Sequence, residues 1–193
     1  MEISKTYEAN QIEKKWYELW ESRGYFKPAG DEGKKPFTVL IPPPNVTGIL
    51  HMGHVLNNTL QDVVVRYHRM LGEPTLWLPG VDHAGIATQN MVEKSIAQEG
   101  LSRHDIGLEK LVEKIWAWKN EKGDRIIDQL KLLGSSCDWD RLRITMDEML
   151  SRAVREVFVR LYEEGLIYKG KYIINWCPRC VTALANDEVE HAE

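Results

Sequence analysis

Three consecutive prolines, Pro42, Pro43 and Pro44, stand directly after a nearly continuous apolar run, Phe37 to Ile41. Proline has no backbone N–H and cannot continue a helix, so the run reads as a short buried strand that stops abruptly. An apolar run of this kind suits a parallel sheet covered on both faces. A Gly-containing loop, Asn45 to Leu50, follows, and then a helix at about His51 to Leu71 with Leu56, Leu60, Val63, Tyr67 and Met70 as its apolar stripe and Gly72 as its stop. Thr75 to Leu78 reads as a second buried strand closed by Pro79-Gly80, and residues 86–98 read as another helix. Strand, helix, strand, helix is the pattern of a right-handed parallel α/β unit.

The flanking regions are helical. Ala9, Ile12, Trp16 and Leu19 give a helix over residues 9–20. Leu108, Leu111, Val112 and Ile115 mark one later helix, and Ile126, Ile127, Leu130 and Leu133 a separate one ending at Gly134. Leu150, Val154, Val157 and Leu161 mark a helix over residues 149–162, and Tyr172 to Trp176 looks like a strand. The expected organisation is an amino-terminal helix and loop (1–35), a nucleotide-binding half domain (36–165), and the start of an insertion (166–193).

With 193 residues and a net charge of −4, the chain has room for one sizeable core and is not broadly basic. Its charge therefore neither suggests nor excludes a nucleic-acid partner. No apolar run approaches the ~20 residues of a membrane span, and a cytoplasmic location is the default. Three cysteines, Cys137, Cys177 and Cys180, do not make a disulfide framework.

Three segments carry chemistry. In the first, Pro42 to His54, a strand end, a glycine loop and a helix start coincide, which is where ligands bind in an open parallel sheet. The helix amino terminus offers free N–H groups to an anion. His51 and His54, three apart, share one face of its first turn, Asn58 and Gln61 extend that polar face, and Gly53 allows close approach to the backbone. In the second, Leu78 to Gln89, Asp82 stands at a strand end. Local chemistry allows two roles for it, pairing with an ammonium group or capping the helix that follows. In the third, Cys177-Pro178-Arg179-Cys180, two thiols are spaced as half of a tetrahedral zinc site or as a redox pair. Cys137 and His191 are the remaining residues to consider as further ligands.

The run Pro42-Pro43-Pro44-Asn45-Val46-Thr47-Gly48-Ile49-Leu50-His51-Met52-Gly53-His54 resembles the His-x-Gly-His signature of class I aminoacyl-tRNA synthetases. Its proline-rich start is similar to that of the valine-specific branch, where the isoleucine branch carries Ala-Asn-Gly and the leucine branch Tyr-Pro-Ser-Gly. Pro79-Gly80-Val81-Asp82-His83-Ala84-Gly85-Ile86-Ala87-Thr88-Gln89 matches the same branch, except that Val81 replaces its usual threonine. Arg103 to Gly107 and Gly134 to Asp140 add to the match, with turns and helix caps as their local reading.

The resemblance implies the first half of a Rossmann-type catalytic domain, and ATP-dependent activation of valine followed by its transfer to tRNA(Val). It implies that His51 and His54 are catalytic and contact ATP, with Mg²⁺. It also implies that Pro44, Asn45, Thr47 and Gly53 shape the ATP site, and that Pro42 and Pro43 line the valine pocket. Asp82 would hold the α-ammonium, and Cys177 with Cys180 would make an incomplete zinc site. No Lys-Met-Ser-Lys-Ser-like string and no second cysteine pair occur in the chain. The expectation is a fragment with reduced activity, prone to self-association or to pairing with a carboxyl-terminal half.

Overall fold

The computed structural model describes residues 6–31 and 33–190. The chain divides into two compact units, Met1–Ser151 and Arg152–Glu193.

The first unit holds α1 (Ala9–Ser22), β1 (Phe37–Leu40), α2 (Met52–Met70), β2 (Thr75–Leu78), β3 (Gly80–Val81), α3 (Gly85–Gln98), α4 (Arg103–Leu132) and β4 (Arg143–Ile144). α5 (Glu148–Glu163) begins at its end. β1 pairs with β2 in parallel, Phe37 opposite Thr75 and Leu40 opposite Leu78. β3 pairs in parallel with β4, Val81 opposite Ile144.

Residues 75–82 are the spine of this arrangement. On one side the prolines interrupt the ladder, because none of them can donate. Pairing nonetheless continues past them. Asp82 N donates to Pro44 O at 2.9 Å, and Val46 N donates to Asp82 O at 3.0 Å. On the other side Asp138 N donates to Trp77 O at 3.0 Å and Thr145 N to Val81 O at 3.2 Å. The parallel strand–helix–strand expectation thus holds, and Arg143–Ile144 is an additional strand with no counterpart in the sequence reading.

Ile41, Val46, Val65, Trp77, Val81, Ile126, Leu130 and Cys137 form one core cluster, and Val92, Ile96 and Leu111 a second. The expected stripe of α2 is not in either. Leu56, Leu60, Val63, Tyr67 and Met70 are all more than half exposed. The inner face of α2 is largely polar instead, with Val65 its one fully buried apolar residue among those described. Asp62 accepts from Ser136 N, and Arg66 donates to Gly134 O at 2.8 Å and to Asp62 at 2.6 Å. Arg69 donates to Ser136 O at 2.9 Å and Phe26 O at 3.0 Å. Charge-assisted hydrogen bonds to the Gly134–Ser136 turn replace the apolar contact that periodicity implied.

Other departures have similar causes. The two helices expected between 108 and 133 are one, α4, and the break lies earlier, at Gly107, whose φ of 79° is open to glycine. Ser102 and Asp105 form a capping box at its start. In α1 the inward anchor is Tyr17 rather than Trp16. Tyr17 Oη donates to Ser135 O at 2.6 Å and accepts from Trp139 Nε1 at 2.7 Å. Trp16 is 46% exposed.

In the second unit, β5 (Asn175–Cys177) and β6 (Thr182–Leu184) make an antiparallel hairpin, Cys177 opposite Thr182. The expected strand at 172–176 therefore begins later, and Tyr172 and Ile173 lie exposed before it. No helix among the described residues is long and apolar enough to cross a membrane.

Trp77 is fully buried, and its indole donates to Gln61 Oε1 at 3.1 Å. Trp77→Ala is expected to cost about 3–5 kcal/mol from the cavity left behind. Trp16→Ala, at an exposed site, should change stability by no more than about 0.5 kcal/mol. Urea unfolding of the two variants measures the contrast.

Candidate active site

One cleft of about 390 Å³ is lined by Pro42, Pro43, Pro44, Asn45, Thr47, His51 and His54. The sequence therefore names most of a single concave site, Asn58 included, to which the fold adds Ile49, Leu50 and Asn57. Helix α4 buttresses its loop from behind. Trp118 Nε1 donates to Val46 O at 3.0 Å, and Leu50 N donates to Gln129 Oε1 at 3.0 Å.

His51 and His54 close the amino terminus of α2 as a reciprocal capping box. His51 Nδ1 accepts from Gly53 N at 3.1 Å, and His54 Nδ1 accepts from His51 N at 3.2 Å. An accepting Nδ1 carries no proton, so each neutral ring bears its proton on Nε2. The pair thus presents two outward donors, with ring centroids 3.9 Å apart. Gly53 has a steric role here, because a Cβ would meet His51 Cε1 at 3.0 Å and push the ring away. Burial disfavours the imidazolium of His54 and holds its pKa below the ordinary histidine value, with repulsion from His51 adding to the effect.

Asn58 and Gln61 part company. Asn58 is buried, its Nδ2 donating to His54 O at 2.8 Å, and its Oδ1 is buried with no partner. Gln61 is taken up by Trp77 and Asn57.

Asp82 lies beside the cleft rather than in its lining, joined to it by the parallel bridge with Asn45. It is not the cap of α3. The cap residue is Ala84, at φ 48°, and Asp82 Oδ1 accepts from Ala84 N at 3.1 Å, so its carboxylate shapes the turn before the helix. Val81, where the resemblance leads one to expect threonine, is 1% exposed and packs in the core. The hydroxyl on Asp82 comes instead from Thr145, at 2.8 Å. Thr145 was missed in the sequence, although Leu142, Ile144 and Met146 alternate with Arg143 and Thr145 at the period of a strand.

Cys177 and Cys180 meet in the hairpin turn of the second unit, where Cys180 N donates to Cys177 Sγ at 3.4 Å. Hydrogen bonds from the Cys180 backbone and side chain lower the Cys177 pKa. This is a turn that suits a thiolate, yet among the described residues no group of three metal-ligating side chains occurs. Cys137 is fully buried in the core, and burial pushes its thiol well above the ordinary value. It belongs to the core cluster of the first unit. His191 lies outside the described residues.

Residues 15–193 match the family described as tRNA synthetases class I (I, L, M and V). The chain belongs to the class I tRNA synthetases. Among its relatives, the valine–tRNA ligase of Desulfotalea psychrophila is 61% identical over 191 residues and that of Geobacter sulfurreducens 62% over 192. That of Fusobacterium nucleatum is 58% identical over 192 residues. These matches cover 99–100% of this chain, which spans 22% of each relative's length. In three dimensions it resembles LeuRS of Agrobacterium radiobacter K84, solved in a ternary complex with tRNA and LeuAMS. The TM-score is 0.77 at 24% identity, over 96% of this chain and 22% of that one. That likeness shows the fold, a class I synthetase catalytic domain.

The lowered His54 pKa fixes a pH dependence. Below about pH 6.5 an unfolded chain takes up a proton that the folded His54 still refuses, so stability falls as pH drops through that window and is unaffected by this group above it. NMR titration should place His54 below an ordinary histidine. His51→Ala should raise its midpoint only in part, because burial, the larger cause, remains.

Proposed function

We propose that this chain forms the ATP- and valine-binding half of a valine–tRNA ligase. The observation that carries the reading is the single cleft in which Pro42, Pro43 and Pro44 face the capped pair His51 and His54, with Asp82 bridged to its rim. In-line attack of a carboxylate on a phosphorus needs little covalent help, and positioning with charge stabilisation does most of the work. The two Nε2–H donors would face the phosphates of ATP and the charge that develops on them. Gly53 would sit against adenine, Asn45 and Thr47 would shape the loop, and Pro42 and Pro43 would wall the valine side chain. Asp82 would pair with the α-ammonium. Mg²⁺ entering with ATP would neutralise phosphate charge.

The second step, transfer to tRNA(Val), belongs to the same proposal, as does a cytoplasmic setting. So does a zinc half-site at Cys177 and Cys180, whose backbone-supported thiolate turn suits two of four ligands. Pairing with the rest of a catalytic domain, or self-association, is supported by the exposed stripe Leu56, Leu60, Val63, Tyr67 and Met70 on α2. Among the described residues no strand lies on the outer edge of β1. Exposed apolar surface of this extent is characteristic of interfaces.

The test is titration of this chain with non-hydrolysable valyl-, isoleucyl- and leucyl-adenylate analogues. The valyl analogue should bind most tightly, with one surplus methylene worth about 1–3 kcal/mol against the isoleucyl one. A tighter or equal isoleucyl complex overturns the valine assignment. The double variant His51→Ala/His54→Ala should weaken all three analogues together, since both rings are assigned to the shared adenylate.

Valine-dependent ATP–pyrophosphate exchange by the chain alone is expected to run at least about 10²–10³ below an ordinary synthetase, the typical effect of lacking one electrostatic contact to the transition state. A normal rate, lost in the double variant, would show that the cleft is a complete site.

A further inference from the structure

Asp82 is held in an unusual way for a carboxylate assigned to a ligand. Two donors converge on one of its oxygens, and a ring nitrogen lies nearby. Oδ1 accepts from Ala84 N at 3.1 Å and Thr145 Oγ1 at 2.8 Å, and His83 Nδ1 lies 3.5 Å away. Among the described residues, no hydrogen bond is made to Oδ2. The Asp82 side chain is 35% exposed.

Thr145 is the hub of this arrangement. Its Oγ1 also accepts from His83 N at 3.0 Å and lies 2.6 Å from His83 Nδ1. A hydroxyl has one proton to give. An ionised Asp82 can only accept, so at 2.8 Å that proton must point to Oδ1; otherwise two lone pairs would face each other. The 2.6 Å contact is then favourable only if His83 Nδ1 carries a proton and donates it to Thr145. This is the opposite tautomer to that of His51 and His54.

We propose that Thr145 is a positioning residue for ammonium recognition. Together with the Nδ1–H tautomer of His83, it saturates Oδ1 of Asp82 and turns Oδ2 toward the amino group of the amino-acid substrate. The inference rests on the assignment of Asp82 to that ammonium. It explains how the chain keeps a hydroxyl on this carboxylate although Val81 supplies none. Thr145 follows β4 directly and its N–H donates to Val81 O, so the backbone that carries the hydroxyl is tied to β3.

The experiment uses the whole chain, labelled with ¹⁵N, in four forms: unaltered, Thr145→Val, Thr145→Ser and Asp82→Asn. Two quantities are read from the same samples. One is the tautomer of the His83 ring at neutral pH. The other is the preference for L-valine over isovalerate, which keeps the isopropyl group and carboxylate but lacks the ammonium. The unaltered chain should show His83 as Nδ1–H and prefer valine. Thr145→Val should lose that tautomer and reduce the preference about tenfold, as expected for one hydrogen bond to a charged group. Thr145→Ser, which keeps the hydroxyl, should restore both. A purely structural role would lower the unfolding midpoint of Thr145→Val and leave the ratio unmoved.

The proposal is overturned if His83 is Nε2–H in the unaltered chain. It is also overturned if Thr145→Val keeps the full preference while Asp82→Asn abolishes it, an outcome that leaves the assignment of Asp82 standing. If Asp82→Asn keeps the preference, or the unaltered chain shows none, that assignment itself fails and this inference falls with it.

Discussion

The two backbone hydrogen bonds that tie Asp82 to Pro44 and Val46 are the joint on which the rest of the first unit turns. A proline run cannot hold itself in a sheet, since it offers carbonyls and no donors. Asp82 supplies the missing donor from its own N–H, and its carbonyl accepts from Val46 N, two residues past the last proline. The loop that leads to α2 is thereby set at a fixed height against the spine. On its far side α4 adds Trp118 and Gln129, so the carbonyl of Val46 and the N–H of Leu50 are both satisfied by side chains from one helix. Irregular backbone is held here as firmly as a strand, which a site needing sub-ångström placement requires.

Much of this was legible in the sequence because it rests on local chemistry. Proline and glycine punctuate β1, β2 and the start of α2 within a residue or two of where the structure has them. The cleft was legible for the same reason, since Pro42 to His54 are consecutive and a strand–loop–helix junction converges by itself. What was not legible depends on distant pairing. Thr145 comes to Asp82 across 63 residues, and the local alternation that marks a strand there does not say which residue it will meet. Trp118 and Gln129 reach the loop across separations of 72 and 79 residues, which no local pattern carries.

Helix α2 misled for a different reason. Periodicity reports which face of a helix is apolar, not which face is inward. Here the inward face carries Asp62, Arg66 and Arg69 beside Val65, and each of the three finds a partner in the Gly134–Ser136 turn, whose two serines are buried. Such a network is costly to desolvate and stable only when its members are satisfied. Those side chains therefore fix the turn after α4 in one geometry, where apolar contacts would tolerate sliding. The same turn brings Cys137 and Asp138 to the edge of β2, so the polar face of α2 indirectly sets the start of the path to β4 and Thr145.

The interlocked caps of His51 and His54 bear on how this protein meets transition metals. Two histidines three residues apart on a helix are ordinarily a ready chelate. In this chain the Nδ1 lone pairs are engaged by Gly53 N and His51 N, and the outer nitrogens carry protons. A nickel or zinc ion could take hold of the outer nitrogens only if both rings moved their protons to the inner ones, which would break the two caps and fray the first turn of α2. Chelation at this pair is thus coupled to local unfolding. Its sequence looks like a metal handle, and its fold keeps that handle closed.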